Sequence, residues 1–91
     1  MPELSPTVKD DALKRLKRIE GQTRGIQRML EEDRDCHEIL NQLMAIRSAV
    51  YQATLLLVRN YAIDCLRRPD DAVSPEETIN DLVNILAKMP Y

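Results

Sequence analysis

Residues 36–65, CHEILNQLMAIRSAVYQATLLLVRNYAIDC, carry apolar side chains at helical period from one cysteine to the other. No Gly or Pro interrupts the wider run from Ile26 to Arg68. Helical rise is about 1.5 Å per residue, so Cys36 and Cys65 on one straight helix stand roughly 43 Å apart. They cannot meet within one copy. An antiparallel second copy, crossing near Val50 and Tyr51, brings Cys36 of one chain beside Cys65 of the other. A thiol pair built across a dimer interface is therefore the leading candidate for the working part.

Length sharpens this expectation. The chain has 91 residues, one small domain with a limited core. A helix of some 30 residues spans roughly 45 Å, whereas a compact globule of this size has a radius of gyration near ~12 Å. Such a helix needs another subunit to cover its apolar side. Gly is rare, Phe and Trp are absent, and β-branched clusters are too few for a sheet, which predicts an all-α protein.

Punctuation divides the chain into three helices, at about 7–31, 36–67 and 75–89. Ser5 before Pro6 suits an N-cap followed by a first-turn proline, and Thr7 with Asp10 is a second capping pair. Ala12, Leu16, Ile19, Thr23, Ile26 and Leu30 form the predicted seam of the first helix, which ends in the acidic link Glu31-Glu32-Asp33-Arg34. Asp35 is the predicted cap of the second helix, with Glu38 reaching back, and Pro69 lies beyond its end. Within it, the all-apolar block Leu55-Leu56-Leu57-Val58 predicts cover from several sides. Ser74, Pro75 and Glu77 compose a capping box for the third helix, whose predicted buried stripe is Ile79, Leu82, Val83 and Leu86, with Pro90 ending it.

Charge is segregated. The net charge is −2, yet residues 7–30 hold seven Lys/Arg against three Asp/Glu. At 100° per residue, Lys14, Lys17, Arg18, Arg24 and Arg28 share a ~120° arc opposite the seam, and Gly21 and Gly25 lie on that arc. A glycine inside a helix costs about 1 kcal/mol relative to alanine, so two on one face invite an explanation. The ordinary explanation is a solvated cationic face. The sharper one is a bare patch that lets the phosphate backbone of duplex DNA approach, repeated in each copy of an oligomer.

The cysteines admit three readings. Both are small apolar core residues, or both ligate a soft metal, or both do thiol chemistry. Cys36 falls in the first turn of its helix, where the dipole favours a thiolate. Two thiolates suit Cu(I), but His37 lies about 100° around the helix from Cys36, and Tyr61, one turn before Cys65, is a poor Cu(I) ligand. Zinc wants four N/S/O ligands, and the supply is short. Thiol chemistry needs no third ligand. Hydrolytic and transfer catalysis find no Ser/His/Asp set, no phosphate loop and no paired carboxylates, so an enzyme is not expected. No apolar run nears the ~18 residues of a membrane span and the N-terminus lacks a secretory core, which predicts a cytoplasmic protein whose cysteines are reduced, ligating or reactive rather than a structural disulfide.

The run Arg15-Leu16-Lys17-Arg18-Ile19-Glu20-Gly21-Gln22-Thr23-Arg24-Gly25-Ile26, then Cys36-His37-Glu38-Ile39-Leu40-Asn41-Gln42-Leu43, then Ala45-Ile46-Arg47-Ser48-Ala49-Val50, resembles the CsoR/RcnR/FrmR family of bacterial transcriptional repressors. The resemblance runs from about Val8 to Leu86. It implies a three-helix protomer, an antiparallel four-helix-bundle dimer and a disc-shaped tetramer on operator DNA. It implies sensing where Cys36 of one protomer meets Tyr61 and Cys65 of another, with His37 as a neighbour. Copper sensors of the family place histidine where this chain has Tyr61. The pattern is therefore closest to the CstR-like dithiol branch, in which persulfides link the two cysteines and DNA is released without a cofactor.

A Cu(I) sensor using the same two thiolates is the alternative within the family. A thiol redox or sulfur-carrier protein is the alternative outside it. The expected DNA contacts are Lys14, Arg15, Arg18 and Gln22, joined by Lys17 and Arg24 of the basic arc and by Arg47.

Overall fold

A computed structural model describes residues 4–67 and 74–88, apart from the side chains of Cys65 and Leu66. It contains α1 (Pro6–Glu31), α2 (Cys36–Arg67) and α3 (Pro75–Ala87), with no strand among the described residues. The fold is all-α.

Local chemistry sets two of the starts. Ser5 Oγ accepts from the Val8 N–H at 3.2 Å, and Pro6 occupies the first turn, where its missing N–H costs nothing. Ser74 Oγ accepts from the Glu77 N–H at 3.2 Å, again before a proline, with Glu76 and Glu77 facing the positive end of the α3 dipole. The α2 start differs from expectation. The Glu38 carboxylate does not close a capping box; it takes a hydrogen bond from Arg34 Nη2 at 2.9 Å. A guanidinium one turn back outcompetes a neutral backbone N–H for a carboxylate. Pro69 and Pro90 lie outside the described residues, and α3 closes at Ala87 with Lys88 as its C-cap.

α1 folds back along α2, and α3 packs on α2 alone. Among the described residues the apolar interior is small: Ala12, Ile26, Ile39, Ala53 and Leu82, with Thr78 also buried. Two expected stripes are only partly inside. In α1, Leu16 and Leu30 are 52% and 59% exposed. The buried side of that helix is rotated toward Val8, Asp11, Ile19, Gln22 and Met29. In α3, Thr78 and Leu82 face α2, while Ile79 and Val83 point outward. The block Leu55–Val58 is half-buried throughout.

The shape explains these exceptions. The molecule measures 56 × 27 × 13 Å, one helix thick in its shortest direction. Its radius of gyration is 17.1 Å, well above the ~12 Å of a compact chain this long. It exposes 7230 Å², about a third more than the roughly 5,400 Å² of a typical monomer of this mass. A layer one helix thick can cover only one side of each helix.

Candidate effector thiols and basic face

The side of α2 turned toward α1 carries Ile39, Ile46, Ala53 and Asn60. Roughly 40–100° around the helix from it runs a second stripe: Cys36, Leu40, Leu43, Arg47 and Val50. Among the described residues nothing covers it. Leu40, Leu43 and Val50 are 55%, 44% and 43% exposed, and Met44 at its border is 56% exposed. Cys36, the first residue of α2, is a free and exposed thiol. Cys65 lies in the same helix eight turns on, where helical geometry returns the chain to within about 20° of the Cys36 azimuth. Its side chain is outside the described set, so only its place on the backbone is fixed.

Tyr61 sits half-buried one turn before Cys65, and its hydroxyl donates to Asp81 Oδ2 of α3 at 3.4 Å. That length marks a weak bond, one that orients the phenol without clamping it. His37 is exposed and points about 100° away from Cys36. Among the described residues of one protomer, no three His, Cys, Asp or Glu side chains converge on a common point.

The basic face is complete within one chain. Lys14, Lys17, Arg18 and Arg28 are exposed, and among the described residues none has a carboxylate at ion-pairing distance. A Cβ built at Gly21 or at Gly25 meets nothing within 4 Å. Neither glycine is required by packing inside the protomer; both leave open surface between cations. The other expected contacts divide. Arg24 pairs with Glu20 at 2.7 Å and Arg15 with Asp11 at 3.0 Å, so both cations are partly neutralised. Gln22 is turned inward, with a buried Oε1 that has no hydrogen-bond partner. Arg47 lies on the uncovered stripe of α2, away from the α1 arc. Both ion pairs have the acid four residues before the base, a spacing visible in the sequence.

The fold and these surfaces define a class: a small all-α protein with an uncovered apolar face headed by a thiol, and a separate cationic helix face. Residues 8–88 match the metal-sensitive transcriptional repressor family. The chain is 40% identical over 80 residues to the copper-sensing transcriptional repressor CsoR of Bacillus subtilis (strain 168), covering 88% of this chain and 79% of that protein. Its structure resembles that of the copper-sensing repressor CsoR with Cu(I) from Geobacillus thermodenitrificans NG80-2, with TM-score 0.81 and 34% identity over 97% of this chain and 92% of the other. It also resembles the nickel-responsive transcriptional regulator InrS, with TM-score 0.72 and 30% identity over 89% and 91% of the two chains.

The chain belongs to the metal-sensitive transcriptional repressor family, the one its R-I-x-G-Q-x-x-G segment and following cysteine resemble. Its members are transcriptional repressors, not enzymes.

Proposed function

We propose that this protein is a cytoplasmic operator-binding repressor that responds to reactive sulfur through Cys36 of one protomer and Cys65 of another. The observation that carries the reading is the uncovered α2 stripe, headed by an exposed free Cys36, with Cys65 near the same azimuth at its far end. An antiparallel second copy laid on that stripe covers Leu40, Leu43 and Val50 and brings each Cys36 to a Cys65. Two such dimers form the disc-shaped tetramer. The exposed cations of α1, repeated in each protomer, supply the DNA surface, with Lys14, Lys17 and Arg18 as its centre. No described helix is long and apolar enough to cross a membrane.

The chemistry closes without an external oxidant. A Cys36 thiolate attacks the terminal sulfur of a low-molecular-weight persulfide, giving a Cys36 persulfide and releasing the small thiolate. The Cys65 thiolate of the second copy then attacks the Cys36 sulfur and expels hydrosulfide, leaving a disulfide across the interface. Release of DNA follows if the linked tetramer favours a state that binds the operator less well.

Tyr61 favours this reading over Cu(I), because a phenol oriented on Asp81 is no substitute for a soft third ligand. The copper-sensing relatives favour the second reading, a Cu(I) sensor. The donors of this chain fit it only as a two-thiolate site, since His37 faces elsewhere.

Anaerobic fluorescence anisotropy decides between them, using a duplex selected by the reduced protein from a randomised pool. Cysteine persulfide is expected to release the duplex, and Cys36→Ala or Cys65→Ala to bind it but ignore the persulfide. Release by stoichiometric Cu(I) alone would overturn the sulfur reading in favour of the copper one. A persulfide response that survives either substitution would overturn the dithiol.

A further inference from the structure

The four residues joining α1 to α2 form a closed elbow. The Glu32 N–H donates to Arg28 O at 2.9 Å, the Asp33 N–H to Leu30 O at 3.2 Å and the Arg34 N–H to Met29 O at 2.9 Å. The last two are the paired bonds of a Schellman cap, which needs a left-handed residue at its centre. Glycine commonly fills that place. Here it is Asp33, at φ 54°. Beyond it, Arg34 reaches over the first turn of α2 to Glu38 at 2.9 Å, and the Ile39 N–H donates to Asp35 O at 3.2 Å. Bonds thus run without a break from Arg28, on the basic face, to the turn that holds Cys36.

Aspartate tolerates the left-handed region better than most residues, but it is costlier there than glycine. Closed and open elbows therefore differ less in energy than a glycine turn would make them. A two-state coupling needs an element of that kind at a junction between its two sites. We infer that the Asp33 elbow is the joint through which chemistry at Cys36 reaches the basic face of α1: closed with Asp33 left-handed in the reduced repressor, opened when the Cys36 sulfur is drawn to a second copy. The inference rests on the thiol-sensing reading and adds its route.

Two substitutions with opposite bias test it. Asp33→Gly removes the cost of the closed turn, whereas Asp33→Ala keeps the left-handed cost and deletes the side chain that eases it. Duplex affinity is measured by anisotropy for reduced and cysteine-persulfide-treated tetramers, with melting temperature alongside. Asp33→Gly should leave reduced affinity unchanged and cut the treated-to-reduced Kd ratio by about two- to fivefold. Asp33→Ala should weaken reduced affinity by a similar factor and leave the treated affinity almost unchanged.

A turn of purely structural importance would shift melting in both variants while reduced affinity and ratio stayed at wild-type values, and that overturns the elbow. Failure of wild type itself to respond to persulfide would instead remove the sensing reading. The reduced-state contrast between the two variants would still judge the elbow.

Discussion

The two working surfaces differ in completeness. On α1, Lys14, Lys17, Arg18 and Arg28 stand in solvent around two open glycines, and one chain displays the whole arc. On α2, the stripe from Cys36 to Val50 is apolar but for Arg47, uncovered among the described residues, and headed by a thiol whose counterpart sits at the other end of the same helix. In the proposed function one surface meets a ligand and the other a copy of itself. The contrast makes the cationic arc a multiplier, gaining strength with each added protomer, and the thiol stripe a condition that must be met first.

Breaking the condition should have the largest effect. Leu43→Glu puts a carboxylate at the middle of the bare stripe, where burial without a partner is prohibitive. Light scattering should show monomers, and duplex affinity should fall by well over tenfold. An intact oligomer would mean that copies meet by another face. Weakening the multiplier comes next. The double change Lys14→Ala and Arg18→Ala should leave assembly intact, weaken duplex binding by roughly tenfold or more, and lower the salt slope of log K by about 2 for each protomer that touches the duplex. An unchanged slope would move the DNA surface off this arc.

The smallest effect sharpens the role of the glycines. Gly21→Ala adds a methyl to open space and should stabilise α1 by about 1 kcal/mol. Thermal unfolding measures that gain. If phosphates pack against the bare backbone, the same change should cost a few-fold in duplex affinity. Equal affinity with higher stability would leave Gly21 without a DNA role.

Much of this was legible because it is local. Ser5-Pro6 and Ser74-Pro75 announce caps through side chains that bond within three residues, and the structure uses both. The family followed from a segment whose glycines and cations sit in fixed register. Leu16, Leu30, Ile79 and Val83 stand exposed against their apolar period for one reason: periodicity reports that a side chain seeks cover, not which molecule provides it. Arg24 stands on the cationic arc and Arg15 among the contacts the family resemblance implies, and neither pattern accounts for the acids four residues before them. The left-handed Asp33 was illegible, since only a glycine there would have signalled the turn.

A plate 13 Å thick has almost no inside. In the assembly proposed above a second copy supplies its interior, which would link folding equilibrium and abundance through mass action. Dilution then acts on such a repressor as heat does on an ordinary one. With that assembly, a cell making little of it would hold loosely folded chains exposed to proteases, and one making more would pass over a threshold into a durable form. The amount of repressor, as well as its signal, becomes part of how sharply its genes are silenced.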